Sequence, residues 1–129
     1  MSLATRPEPL AASADTRAAL VAALSTVQGL SASRAAPDVP TAGAAWPVWT
    51  QTTYAGRLGA PAVHTYDVYV ILPAGYLPST VDQADGLRDQ VAAALWPAGT
   101  VQSTEPVSVQ FDDSATMPGI RARVIMRGA

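Results

Sequence analysis

An amphipathic pattern in the first quarter of the chain predicts one helix. Asp15 can cap a helix that begins at Thr16, because an aspartate side chain accepts hydrogen bonds from the free amides of a first helical turn. Apolar residues then recur at spacings of four and three until Gly29 provides a stop, and they are Leu20, Leu24 and Val27. The preceding residues 1–14 mix proline, alanine and serine without a period, which predicts a flexible N-terminal arm.

Alternating side chains in residues 46–72 predict a β-hairpin. Residues 46–55, WPVWTQTTYA, are rich in β-branched and aromatic types, and a strand here has one set of side chains on a single face, namely Trp46, Val48, Thr50, Thr52 and Tyr54. A loop with glycines and a proline follows at 56–61, and residues 62–72 resume the strand pattern. The second half of this strand is apolar on both faces, which is typical of a central strand.

Residues 30–45, between the first helix and the hairpin, contain prolines and a glycine among small residues and predict a long connection.

A second helix is predicted to begin close to Ser79. Ser79 followed by Asp82 resembles an acidic capping box, and Asp85 adds a carboxylate near the positive end of the helix dipole. Pro97 and Gly99 close the helix. The apolar stripe at helical spacing comprises Ala84, Leu87, Val91 and Leu95.

The last quarter of the chain predicts a second hairpin. Val107, Val109 and Phe111 alternate with polar residues, and a turn at 112–119 leads to a final strand at 120–127. Apolar side chains occupy one face of that strand, namely Ile120, Ala122, Val124 and Met126. Arginines occupy the other face, interrupted by Ile125, namely Arg121, Arg123 and Arg127. This arginine stripe is either the solvated face of an edge strand or a contact to a neighbouring subunit.

The order helix, hairpin, helix, hairpin predicts the class of the fold. Runs of strands separated by single helices favour an α+β domain over residues 15–129. We expect an antiparallel or mixed sheet of about four strands, with both helices packed on one face.

Composition restricts the chemistry. The chain has 129 residues, of which 49% are hydrophobic and 14% charged, so it suffices for one domain with a core. Its net charge of −2 argues against nonspecific binding to nucleic acid. The absence of cysteine and the single histidine exclude thiolate chemistry and multi-histidine metal sites. No apolar run approaches the roughly 20 residues of a membrane span.

Candidate catalytic residues are few. His64 and Tyr66 share a strand face, whereas Asp67 points to the opposite one, so a local His-Asp relay is excluded by geometry. Asp112 and Asp113 are interpreted as a solvated turn. The chain has no nucleotide-binding or nucleophile motif, so no cofactor is expected and an enzyme is the weaker class.

Six segments between residues 46 and 127 resemble those of a known family. They are WPVWTQTTYAG at 46–56, TYDVYVILPAGY at 65–76, TVDQADGL at 80–87, ALW at 94–96, EPV at 105–107 and MPGIRARV at 117–124. Together they resemble the tail terminator, or head-to-tail joining, proteins of long-tailed phages of actinobacteria. None of the segments is catalytic, because they are patterns that specify a fold.

This resemblance implies a structural role in a virion. Such proteins are α+β domains that form a hexameric ring at the head-proximal end of the tail tube. The ring stops polymerisation of the tube protein and presents a surface to the head connector or stopper, while DNA passes through the lumen without specific binding. The resemblance therefore implies a homo-oligomer at the junction of head and tail, assembled in the host cytoplasm, without membrane, cofactor or enzymatic activity.

A closed ring above a dimer needs two different complementary patches on each subunit. One candidate is the arginine stripe, taken as an edge strand. A second candidate is the acidic start of the second helix, comprising Asp82, Asp85 and Asp89. The loop at 56–61, with Arg57 and Leu58, and the connection at 30–45 are candidates for docking onto tube or connector, since loops on a rigid sheet vary in shape.

Two alternatives stay open at the level of sequence. Within a phage, the chain could be a head-completion adaptor or stopper, which would contact the portal side of the neck. Outside that setting, it could be a small-molecule-binding domain or enzyme with a pocket around His64 and Tyr66.

Overall fold

The computed structural model describes residues 8–39, 41–54, 62–73, 81–110 and 116–127, with side chains described from residue 16 in the first helix and from residue 84 in the second. These residues form two helices and five strands. They are α1 (Glu8–Leu24), β1 (Ser31–Ala32), β2 (Ala44–Thr53), β3 (Val63–Ile71), α2 (Val81–Leu95), β4 (Thr100–Val109) and β5 (Met117–Arg127).

The strands make one mixed sheet in the order β1-β2-β3-β5-β4. The short β1 runs parallel to β2, and the other pairings, β2 with β3, β3 with β5 and β4 with β5, are antiparallel. The predicted α+β class and both predicted hairpins are therefore confirmed, and β3 is central as expected.

The first helix begins at Glu8, so the predicted start at Thr16 was wrong. Residues 8–14, predicted to belong to the N-terminal arm, are helical. Their alanines have high helix propensity, and Pro9 falls in the first turn, where a missing amide hydrogen costs no helical hydrogen bond. The helix ends at Leu24, and Val27 is buried in the turn that follows it. Residues 1–7 lie outside the described part.

A short strand interrupts the connection predicted at 30–45. The amide of Ser31 donates to the carbonyl of Gly43 at 2.8 Å, and the amide of Ser33 donates to the carbonyl of Ala45 at 2.9 Å. Gly43 has a φ of 83°, and a Cβ at this position would lie 2.6 Å from the carbonyl oxygen of Gly29. A two-residue strand is too short to leave a periodic signal in the sequence.

The two helices cover one face of the sheet, which we call the inner face. Three residues of α2, Leu87, Val91 and Leu95, are buried as the predicted stripe requires, and α1 contributes Leu20 and Leu24. The sheet side of this core comprises Ala45, Tyr66, Val68, Val70, Ile120, Ala122, Val124 and Met126. Each of these helical and sheet residues is at most 6% exposed, so the core is closed to solvent.

A β-bulge changes the predicted face of β2. The pairing with β3 shifts between Trp49 and Gln51, so one extra residue is accommodated there. As a result Thr52 lies opposite His64, whose side chain lies on the inner face beside Tyr66, while Val48 lies opposite Asp67 on the other face. The single face predicted for residues 46–54 was therefore wrong beyond the bulge, because an inserted residue reverses the alternation.

Candidate interaction surface

The other side of the sheet, which we call the outer face, carries the charged residues. Two rows of paired residues cross it from β2 through β3 and β5 to β4. The first row is Trp46, Tyr69, Arg121 and Glu105, and the second is Val48, Asp67, Arg123 and Ser103. Within the described residues, no helix packs on this face.

In the second row a buried carboxylate is paired with an arginine. Nε of Arg123 donates to Oδ1 of Asp67 at 3.1 Å, and Nη2 donates to Oδ2 at 3.4 Å. The Asp67 side chain is 8% exposed, whereas that of Arg123 is 46% exposed. The hydrogen bond to Asp67 raises the pKa of Arg123. The pair thus satisfies a carboxylate that the sheet has removed from water.

In the first row a more exposed pair joins the two last strands. Nη2 of Arg121 lies 2.6 Å from Oε1 of Glu105, and Nε of Arg121 donates to the same oxygen at 3.2 Å. Hydrogen bonds to Glu105 and then to Tyr69 raise the pKa of Arg121. Both partners keep solvent contact, with side chains 31% and 48% exposed.

These pairings correct the interpretation of the arginine stripe. β5 lies between β3 and β4, so Arg121, Arg123 and Arg127 are not on an edge strand. The structure does bring them onto one face, but two of the three are engaged by acids of neighbouring strands. Arg127 is exposed and forms no ion pair with any described residue. The sequence could not indicate this, because both acids, Glu105 and Asp67, lie on other strands.

One end of the outer face is apolar. The rings of Trp46 and Tyr69 stack with centroids 5.8 Å apart and planes inclined by 21°. Ala44 and Ile71 are buried beside them, and Val109 and Met117 pack against this cluster. The outer face therefore has its own small core at this end.

The free side of β2 forms a pocket at the edge of the sheet, which we call the edge pocket. It has a volume of about 310 Å³ and is lined by Arg17, Arg34, Ala35, Ala36, Trp46, Pro47, Val48 and Trp49. β1 pairs only with Ala44 and Ala45, so within the described residues β2 has no strand neighbour on this side from Trp46 onward.

Pro47 and Arg17 shape this edge. The backbone of Ala45 points away from β3, because its carbonyl accepts a hydrogen bond from Ser33 next to β1. Pro47, two residues later, has the same backbone orientation, so its missing amide hydrogen costs no hydrogen bond to β3. Nη1 of Arg17 donates to the carbonyl of Pro47 at 3.1 Å and to that of Arg34 at 3.0 Å. Its guanidinium also lies 5.6 Å from the centroid of the Tyr66 ring. Arg17 therefore fastens α1 to the edge of the sheet.

The remaining predicted interface residues are distributed differently. Asp85 and Asp89 are exposed, and each lies 3.2 Å from a guanidinium nitrogen of Arg88. The side chain of Asp82, and both Arg57 and Leu58, lie outside the described residues, as do Asp112 and Asp113. The two described carboxylates of the acidic cluster are thus exposed to solvent and partly neutralised by one cation.

His64 is a buried residue in a hydrogen-bonded chain. Nε1 of Trp49 donates to Oγ1 of Thr52 at 2.7 Å, and this oxygen lies 2.9 Å from Nδ1 of His64. His64 is 2% exposed, its Nε2 has no hydrogen-bond partner among the described residues, and burial lowers its pKa. Asp67 lies on the opposite face, as the alternation predicted. The sequence did not predict these hydrogen bonds between Trp49, Thr52 and His64, because they depend on the bulge in β2.

Tyr66 is fully buried, and its hydroxyl lies 2.9 Å from Oγ1 of Thr16 in α1. Neither Tyr66 nor His64 is accessible to a solute from solvent, so the geometry gives no support to a binding pocket around these two rings. The described residues include no group of three or more His, Cys, Asp or Glu side chains placed to hold a metal ion.

No helix in the described part is long and apolar enough to cross a membrane. Neither a scan of the full sequence against models of known protein families nor a search of curated proteins finds a match.

Proposed function

We propose that this chain is a structural protein of a long-tailed phage, a tail terminator that forms a hexameric ring on the head-proximal end of the tail tube. In this role it stops polymerisation of the tube protein and joins the tail to the head connector or stopper. DNA passes through the ring without being bound specifically. The protein assembles in the host cytoplasm and remains in the virion at the junction of head and tail.

The observation that carries the proposal is the concentration of exposed apolar side chains at one edge of the sheet. Val48 is 38% exposed, Trp49 53% and Tyr54 66%, and all three lie on β2 or directly after it. Large apolar groups that cluster on a surface are typical of sites that another protein covers. The resemblance of six segments to tail terminators indicates which proteins cover this edge, namely neighbouring subunits of a ring, the tail tube and the head connector.

Two further features agree with a structural role in a ring. The sheet ends in two different edges, β2 with its short partner β1 on one side and β4 on the other, and a ring built by rotation needs two unlike contact surfaces. The charged groups of the outer face are largely paired within the chain, and the net charge is −2, which suits a channel along which phosphate groups slide.

The proposal is tested by adding the purified protein to polymerising tube protein from the same virus. A tail terminator limits tube length and is seen by electron microscopy as a ring at one end of each tube. A protein that leaves the tubes unaltered and instead binds the portal or connector is a neck adaptor or stopper. A protein that binds none of these particles contradicts the structural role.

A further inference from the structure

The edge pocket contains positive charge that no carboxylate neutralises within the described residues. Arg17 is held by the carbonyl oxygens of Arg34 and Pro47 and by the face of the Tyr66 ring, which carry only partial negative charge. Arg34 is exposed and makes no ion pair with a described residue. The ion pairs of the described residues instead involve Arg88, Arg121 and Arg123. Two arginines at the rim of an apolar pocket favour a ligand that combines a carboxylate with an apolar group.

The opposite edge of the sheet offers such a group. The ten residues of β4 include one charged residue, Glu105, which is followed by the exposed Pro106. The Glu105 side chain is 48% exposed, and both contacts from Arg121 end at its Oε1. Within the described residues, Oε2 of Glu105 thus remains available to a second guanidinium.

The strand register places the two edges at the same height. Trp46 pairs with Tyr69, Tyr69 with Arg121, and Arg121 with Glu105, so one row of residues runs directly from the edge pocket to the carboxylate. Subunits of a closed ring are related by rotation alone, without displacement along the axis. Two contact patches at equal height along the strands meet this condition for a ring whose axis runs along the strands.

We propose that the edge pocket of one subunit binds the Glu105–Pro106 edge of β4 from a second copy of this chain, so that copies join head to tail. The inference rests on the proposed function, because it identifies the contact that closes the ring. Arg34 donates to the free oxygen of the neighbour's carboxylate. Pro106, whose row ends at Ala45 next to Trp46, enters the pocket beside Trp46, and Trp49, a residue that is 53% exposed in the row that ends at Val101, packs on the neighbour's β4 between Val101 and Glu105.

The test is a charge exchange, measured by sedimentation velocity over a concentration series of the full chain, alone and with tail tubes. The Arg34→Glu variant is expected to raise the concentration for half-assembly at least about tenfold, and Trp49→Ala about 30-fold, as for a hot-spot residue. Glu105→Arg is expected to weaken assembly as Arg34→Glu does. The double variant R34E/E105R restores assembly to within about threefold of the wild type, since the exchanged charges attract again.

Matched variants separate this contact from general effects. Arg127→Glu makes the same charge change on an exposed arginine of β5, which β3 separates from β2, and Trp96→Ala removes the indole of a residue that is 59% exposed after α2. Both are expected to assemble like the wild type. Glu105→Gln is the control for Glu105→Arg, because both changes remove the ion pair with Arg121 but only Glu105→Arg introduces a positive charge. Thermal unfolding checks that every variant is folded.

The outcomes distinguish the inference from the proposed function. If the wild type caps tubes and the Arg34 and Trp49 variants assemble equally well, or if Arg127→Glu is as harmful as Arg34→Glu, the inference is wrong and the function stands. If the exchange restores assembly but the rings do not bind tube ends, the contact is correct and the proposed function is wrong. A wild type that remains monomeric with and without tubes overturns both.

Discussion

The inner and outer faces of the sheet are stabilised in different ways. On the inner face, side chains from the sheet meet two helices, and most of the contacts are made by buried apolar groups such as Val68, Ala122 and Val91. On the outer face, the same strands present paired charges and a short aromatic cluster. One face thus gains stability from removing apolar surface from water, and the other from satisfying polar groups within the sheet.

Under the proposed ring assembly, this difference separates folding from association. The apolar groups of the inner face are already covered by the two helices. The outer face and the adjoining edge of β2 retain exposed groups, such as the indole of Trp49. Substitutions on the inner face should therefore reduce the free energy of unfolding, whereas those at the edge should act mainly on assembly.

The largest expected effect is on the inner face. Leu20→Ala removes a fully buried side chain between α1 and the sheet, and we expect it to lower the free energy of unfolding by about 2–5 kcal/mol. Val48→Ala on the outer face, where the side chain is 38% exposed, should cost less than about 1 kcal/mol. Urea unfolding of both variants measures the contrast, and equal losses would contradict it.

The next effect concerns backbone packing inside the sheet. A Cβ at Gly119 would press on the carbonyl oxygen of Val70 in the neighbouring strand, so Gly119→Ala is expected to cost about 1–3 kcal/mol. The matched change Gly86→Ala in α2 meets nothing within 4 Å and should stabilise by about 0.5–1 kcal/mol. Opposite signs in denaturant midpoints are the expected result, and a neutral Gly119→Ala would show that β5 moves away freely.

A third prediction is the response of the inner face to acid. Burial lowers the pKa of His64 from its ordinary value of 6.5, so the unfolded chain binds the proton more readily than the folded one. Stability should therefore fall as the pH drops below about 6.5 and level off below the folded pKa. For one proton the slope cannot exceed about 1.4 kcal/mol per pH unit.

Urea unfolding between about pH 7.5 and 5.5, a range that brackets the ordinary histidine pKa, measures that slope. His64→Gln retains a polar group for Thr52 but does not titrate, so it should flatten the profile over this range. An unchanged slope in the variant would assign the effect to other groups.

The smallest contrast lies within the outer face itself. Arg123→Ala leaves the carboxylate of Asp67, which is 8% exposed, without its guanidinium, whereas Arg121→Ala leaves Glu105, which is 48% exposed, in contact with water. Unpaired buried charge is the costlier defect, so the thermal midpoint should fall further for Arg123→Ala. Scanning calorimetry at neutral pH compares them, and the reverse order would show that the first row stabilises more than the second.

Much of the fold was predictable because its signals are local. The stripe Leu87, Val91 and Leu95 identifies α2 from spacing alone, and the alternation in β5 correctly separates its buried apolar side from its arginines. The two-sided apolar pattern of β3 likewise identified a central strand. In each case the side chains that form the pattern are neighbours in the chain.

The candidate site was predictable only in part. Arginines were predicted as contact residues, and that prediction stays open, but Arg121, Arg123 and Arg127 were wrongly assigned to an edge strand. The pocket formed by Arg17 and Trp49 was not predicted. The place of β5 between β3 and β4, and the bulge after Trp49, depend on which strands meet. Neither property has a signature within a single strand.

Local patterns were enough to predict the α+β class, the two hairpins and the apolar sides of α2 and β5, because short-range periodicity decides which side chains avoid water. Tertiary structure alone decided the strand order, the partners of the arginines and the open edge beside Trp49. These features depend on contacts between residues far apart in the chain, such as Asp67 with Arg123. The energy of such a contact depends on the burial of the two groups and the distance between them, which residue type alone does not give.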